Sequence, residues 1–191
     1  MKSAALTLVV FLSVACFSSC ARLSKDTVQK EPTPQPQAIL QASPQATSRF
    51  PVPTGFVNDY ANVLDTDSRM RLEALLTKLK TKSNIEFAVV TVETTKGEPI
   101  FDYSLALAKE WGIGPKDASG GGMLLLMAIK DRQWRLQVSR SLEKDLPDDV
   151  CKKLGDQSVP LFKKGDFAGG IEKYVIALIQ RLEQTRDKSL I

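Results

Sequence analysis

Histidine is absent from the 191 residues. Without imidazole there is no Ser-His-Asp triad, no Cys-His dyad, no histidine zinc site and no axial-histidine haem. Any catalysis must rest on carboxylates, Lys, Tyr, Ser or Cys, or on a cation held by oxygen ligands. Cysteine is scarce as well, with three in the chain, too few and too unevenly placed for a disulfide framework. Charge of one sign is also lacking. The 26 Lys and Arg stand against 22 Asp and Glu, a formal +4 with no concentrated basic patch, which argues against a nucleic-acid partner. What is present, 43% apolar and 25% charged residues, is an ordinary globular composition of a size for one domain with appendages.

The nearly unbroken apolar run from Ala4 to Phe17 follows a single early charge, Lys2. It falls short of the roughly 20 residues a comfortable membrane helix needs. A basic start, a short apolar core and small residues before a cleavage point describe an export signal over residues 1–19. The small residues end in Phe17-Ser18-Ser19-Cys20, similar to a bacterial lipobox, in which the cysteine is lipidated and becomes the mature N-terminus. Phe17 replaces the usual Leu, and Cys16 is a weaker competing acceptor. Cleavage there removes one Lys and no acid, so the formal charge falls from +4 to +3, and lipid rather than electrostatics would do the anchoring. The expected location is the cell envelope, membrane-anchored and facing the periplasm or the exterior. Residues 20–54 then form a tether. Six of the ten prolines fall between Pro32 and Pro53 among Gln, Ala, Thr and Ser. Such a segment buries too little to fold and, at about 3.1 Å per residue, reaches on the order of 100 Å.

The folded unit is expected over 55–186, with a short tail at 187–191. Asp65 offers an N-cap, after which Leu72, Leu75, Leu76 and Leu79 recur on one helical face while Arg69, Arg71, Glu73, Lys78 and Lys80 take the other. Ile85 to Val92 is β-branched, apolar and short, hence a strand. Gly97-Glu98-Pro99 opens a second helix with Ile100, Tyr103, Leu107 and Trp111 on one face, and Gly112 stops it. Met123 to Ile129 reads as a buried central strand. After a turn at 130–133, Trp134, Leu136 and Val138 alternate with polar residues as a half-exposed strand. Beyond Pro147 the pattern is helical, and Asp166 caps the stripe Phe167, Ile171, Tyr174, Val175, Leu178 and Leu182. The expected order is helix, strand, helix, strand, strand, helices, packed on a small mixed sheet.

Few motifs could support chemistry. Ser119-Gly120-Gly121-Gly122 resembles a phosphate loop in composition, but it lies between a helix and a following strand, the reverse of the nucleotide-binding order, and lacks a Gly-Lys-Ser/Thr ending. It reads instead as a flexible lead-in to the buried strand. Asp65-Thr66-Asp67 starts a helix and is explained by capping. Cys151 has Gln157, not Arg, six residues on, which excludes a cysteine-phosphatase loop. Ser139 and Ser141 lack a histidine and a nucleophile elbow. The acids Asp59, Asp117, Glu143, Asp145, Asp148 and Asp149 sit near strand ends and loops, where oxygen ligands for a hard cation are commonly presented, or where a solvated acidic rim lies.

Phe56-Val57-Asn58-Asp59-Tyr60-Ala61-Asn62-Val63-Leu64, an amphipathic helix and Ala88-Val89-Val90-Thr91-Val92 together resemble the opening of a TPM domain. The resemblance continues through Ala108-Lys109-Glu110-Trp111-Gly112-Ile113-Gly114, Gly122-Met123-Leu124-Leu125-Leu126, Leu146-Pro147-Asp148 and Phe162-Lys163-Lys164-Gly165-Asp166-Phe167-Ala168-Gly169-Gly170-Ile171. It implies a three-layer α/β/α sandwich with a small mixed central sheet, usually outside the cytoplasm. It also implies links to acid phosphatase activity, to calcium and to the upkeep of membrane complexes. Two loops depart from the family pattern. Gly120-Gly121-Gly122 stands where Asp-Asn-Gly is common, and Ser139-Arg140-Ser141-Leu142-Glu143-Lys144 keeps only Leu and Glu of a Gly-aromatic-Gly-Leu-Glu-Gly loop. Asp59, Glu143 and Asp166 survive as acids.

Two functions are expected from this. The first is a lipid-anchored accessory module that binds an envelope or membrane protein partner. The second is a divalent-cation-dependent phosphatase, in which Asp59, Asp117 and Glu143 hold calcium or magnesium and Arg140 clamps the phosphate.

Overall fold

Asp65 caps the first helix as its position predicts. Its carboxylate accepts the Ser68 N–H at 2.8 Å and the Ser68 hydroxyl at 2.7 Å, and the Ser68 amide holds the carboxyl below the ordinary Asp range. The computed structural model describes residues 48–114 and 120–191. Over these the elements are β1 (Val57–Asp59), α1 (Thr66–Ser83), β2 (Ile85–Val92), α2 (Ile100–Glu110), β3 (Gly121–Ala128), β4 (Gln133–Val138), α3 (Asp148–Asp156), α4 (Val159–Lys163) and α5 (Phe167–Arg186). α1 stops at Asn84, which adopts the left-handed region that Asn tolerates, and the chain turns directly into β2. Gly112, at φ 62°, ends α2 in the same way. Asp166 caps α5, accepting the Gly169 N–H at 2.9 Å.

The sheet has the order β1-β2-β3-β4. The first three strands are parallel and β4 is antiparallel to β3, so it is mixed. Strand alternation divides the core into two layers. Phe87, Val89, Met123, Leu125, Met127 and Leu136 face α1, α3 and α5, where Leu72, Leu76, Leu79, Tyr174, Leu178 and Leu182 meet them. Ala88, Val90, Leu124 and Leu126 face the other way, toward Leu107 of α2. β3 is buried along its whole length, as its uninterrupted apolar sequence requires. Each fully buried Leu contributes about 1.5–3 kcal/mol, so the larger layer dominates stability. Cys151 lies in that layer, where burial pushes its thiol up to about 11. Tyr174 donates its hydroxyl to the Cys151 carbonyl at 2.9 Å.

The three-layer sandwich expected from the sequence is therefore present, with two additions. β1 has only three residues, too few to show a period, and it exists because its neighbours satisfy it. The Glu73 carboxylate accepts the Phe56 and Val57 N–H groups at 2.9 and 2.7 Å, so this residue of the supposed solvent side of α1 ties the chain's approach to the sheet. The second addition is the docked segment 48–54, which the sequence assigns to the tether. Phe50 is 4% exposed and packs edge-on against Tyr103 at 5.1 Å. The Trp111 indole donates to the Pro51 carbonyl at 3.1 Å, and Arg49 lies over both rings while pairing with Glu98. A proline-rich irregular segment with one aromatic anchor therefore completes the thin α2 layer. Cys20 lies outside the described residues, among which no helix is long and apolar enough to cross a membrane.

Candidate functional site

The loops that depart from the family pattern meet at the amino end of β3, and close packing explains their glycines. A Cβ on Gly121 would stand 2.4 Å from Leu142 Cγ, and one on Gly122 would stand 2.8 Å from Gly114 Cα and from the Ile113 carbonyl. Gly121 thus makes room for the fully buried Leu142 on one face of the sheet, and Gly122 admits the backbone after α2 on the other. These two glycines are places of close approach rather than a flexible lead-in. The Gly122 N–H donates to Ser139 Oγ at 2.9 Å and its carbonyl accepts the Ser139 N–H at 2.9 Å, while Ser139 and Ser141 share a 3.0 Å hydroxyl contact. The Gly121 and Gly122 amides are committed to the Asn84 carbonyl and the Ser139 hydroxyl, so these two glycines offer no phosphate cradle.

One residue at this end was not singled out from sequence. Glu86 stands in register with Gly122 on β2, and its carboxylate joins Lys80 of α1 at 2.8 Å to the Gly114 N–H at 2.7 Å. Burial would raise the Glu86 carboxyl, but the Lys80 hydrogen bond, the Gly114 amide and the Lys80 charge together hold it below the ordinary Glu range. The signal available was a lone acid inside an otherwise apolar strand. Beside it a cleft of about 370 Å³ opens between α2 and β4, lined by Lys109, Gly112, Ile113, Gly122, Gln137 and Ser139 among others. Arg140 and Glu143 sit exposed on the following turn, with no hydrogen bond or ion pair among the described residues.

Asp59 is at the opposite end of the sheet. It lies in register with Thr91, which pairs with Met127, which pairs with Trp134. Its Oδ1 accepts the Val63 N–H at 3.2 Å and the Thr91 hydroxyl, and its Oδ2 accepts the Leu64 N–H at 2.9 Å. Asp59 is therefore a staple for the loop between β1 and α1. The β4 residue level with it is Trp134, whereas Glu143 lies beyond Val138 at the far end of that strand. Four residues at about 3.3 Å each already separate the two levels by about 13 Å. A cation contacts its oxygens at roughly 2.0–2.6 Å, so one ion cannot join Asp59 to Glu143. Asp117, the third expected ligand, lies outside the described residues. Among the described residues no group of three acidic or Cys side chains is placed to hold a metal. The expected calcium or magnesium set, taken as one site, does not fit.

The remaining acids have local explanations. Asp145 pairs with Arg186 at 2.8 Å, and Asp148 and Asp149 occupy the first turn of α3, where the helix dipole favours them. Asp166 is the cap of α5.

The TPM domain family matches residues 57–181. The chain belongs to the TPM domain family. This TPM domain is similar to the N-terminal domain of a protein from P. gingivalis, solved by NMR, at 29% identity and a TM-score of 0.64 over 71% of this chain and 87% of that one. The N-terminal domain of cg2496 from Corynebacterium glutamicum shares the fold at 17% identity and a TM-score of 0.52, covering 76% of this chain and 85% of its own. So does BA42 from Bizionia argentinensis, at 19% and 0.50, covering 62% and 83% respectively. No curated protein matches the chain.

Proposed function

We propose that this TPM domain is a lipid-anchored accessory module of the cell envelope that binds a membrane or envelope protein partner. The observation behind this reading is the division of the acids. Asp59 has its carboxylate committed to Val63, Leu64 and Thr91 at one end of the sheet, while Glu143 stands at the other. A hydrolase needs its charged groups to converge on one reacting atom, whereas a binding module needs only a stable exposed surface. The signal-like start and Cys20 support attachment through lipid, with the proline-rich tether as spacer.

Hydrolysis of an aryl phosphate, measured with and without calcium or magnesium, separates this from the phosphatase reading. The binding module gives no turnover above buffer. Turnover lost together in Asp59→Ala and Glu143→Ala would sink it in favour of the enzyme. What speaks for the enzyme is Arg140, without an ion pair among the described residues and between Ser139 and Ser141 in sequence, residue types able to contact a phosphate. For the anchor, Cys20→Ala is expected to release the chain from membranes into the soluble fraction, and unchanged partitioning would refute it.

A further inference from the structure

At the carboxyl end of β3, at the far end of that strand from Gly121 and Gly122, a half-open cavity of about 500 Å³ lies between the β3–β4 turn and the junction of α4 with α5. Its walls are Trp134, Phe162 and Phe167, and its charged lining is Arg132 and Lys163, with no acid. Two of the rings are held by glycines inside helices. A Cβ at Gly155 would fall 2.2 Å from the Trp134 ring, and one at Gly170 would fall 2.2 Å from the Phe162 ring. Glycine is the least favourable interior helix residue after proline, so both helices give up propensity to seat these rings. Trp134 is fixed further by an edge contact with Tyr174 at 5.2 Å, and Phe162 stacks on Phe167 at 6.3 Å. The walls are therefore set before any ligand arrives.

The cations are unclaimed. Among the described residues neither Arg132 nor Lys163 forms an ion pair. The acids nearest in sequence are engaged elsewhere: Asp131, beside Arg132, accepts from the Thr94 hydroxyl and the Thr95 N–H, both at 2.8 Å, and Asp166, three residues from Lys163, accepts the Gly169 N–H at 2.9 Å. Arg132 also occupies φ 53° in a tight turn where Gly or Asn would be relaxed. A volume within the small-ligand range, apolar rigid walls and two cations without an ion pair among the described residues, at an acid-free lining, complement one kind of occupant, an apolar body bearing a carboxylate. Because the cavity is open along one side, the rest of a chain can trail out of it.

We infer that this cavity receives the C-terminal residue of a polypeptide partner, its aromatic or branched side chain against Trp134 and Phe162 and its α-carboxylate on Arg132 and Lys163. The inference does not depend on the phosphatase or the accessory reading, since none of Asp59, Arg140 and Glu143 lines the cavity.

The test is an NMR titration of the ¹⁵N-labelled full chain with N-acetyl-Ala-Phe as the free acid, with the same peptide as its C-terminal amide, and with 3-phenylpropionate. The free-acid peptide is expected to shift the Trp134 indole and the Arg132 and Phe167 amides, and to bind about tenfold tighter than the amide because the charged hydrogen bonds are lost. Arg132→Gly and Lys163→Gln are each expected to weaken the acid but not the amide. Arg132→Gly relieves a positive φ, so an unchanged or higher Tm separates lost binding from lost fold. Equal affinity for acid and amide, shifts that map elsewhere, or no saturable shift at millimolar peptide would overturn the proposal. Phenylpropionate binding as tightly as the peptide would overturn the polypeptide source.

Discussion

At the carboxyl ends of the parallel strands, acids hold the backbone: Asp59 gathers two amides and a hydroxyl, and Asp131 gathers the Thr95 amide and two threonine hydroxyls. At the amino end of β3 the connection is made by removing side chains. Gly121 and Gly122 let Leu142 and Gly114 approach, and the charged residues of the adjoining turn, Arg140 and Glu143, are left in solvent. One end is fixed by charge-assisted hydrogen bonds, whereas at the other a single carboxylate, Glu86, joins Lys80 to the Gly114 N–H and the rest is steric fit. Asp131 should respond to acid, Asp59 to loss of its carboxylate, and Gly122 to added volume.

Adding volume should have the largest effect. Gly122→Ala meets backbone rather than a movable side chain, so unfolding by urea is expected to show a loss of about 3 kcal/mol. If the loss is under about 1 kcal/mol, the segment from Ile113 to Gly114 shifts freely and the steric account of this end fails. Asp59→Ala comes next. It leaves the Val63 and Leu64 amides without their acceptor, for about 2 kcal/mol by the same measurement. Asp59→Asn should recover part of that, because an amide oxygen can still accept one of the bonds.

Acid titration sharpens the contrast. The Thr95 amide, the Thr94 hydroxyl and the Thr95 hydroxyl hold the Asp131 carboxyl below the usual Asp range. A depressed folded value means its stabilisation is present above the ordinary Asp pKa of 3.8 and is lost as pH falls through the folded value. Asp131→Asn should therefore flatten the fall of Tm below about pH 4. An acid limb as steep as that of the parent would assign it to other carboxylates. Smallest of all, Arg140→Ala and Glu143→Ala should leave Tm unchanged within error, since neither side chain has a partner among the described residues.

Much of this was legible in the residues. Ile85 to Val92 is a strand from end to end, and Asp65 and Asp166 cap the helices their spacing announces. β1 was not legible, because three residues show no period and its amides depend on Glu73, sixteen and seventeen positions away. Nor was the docking of Phe50, since a proline-rich segment with one aromatic reads as tether until Tyr103 and Trp111 are placed beneath it. At the candidate site, Gly121 and Gly122 announced a special backbone without saying which. Close packing and flexibility use the same residue and differ only in what stands beside it.

The sequence by itself determined the longer helices and strands, the burial of β3, the family, and the absence of histidine that confines chemistry to carboxylates, Lys, Tyr, Ser, Cys or an oxygen-held cation. Those properties follow from local periodicity and composition, which the chain carries wherever it is folded. Only the tertiary structure decided that Asp59 and Glu143 lie at opposite ends of the sheet. Strand direction and register set the distance between side chains far apart in sequence, and a run of parallel strands closed by an antiparallel fourth sends the turn after β4 back to where β3 began.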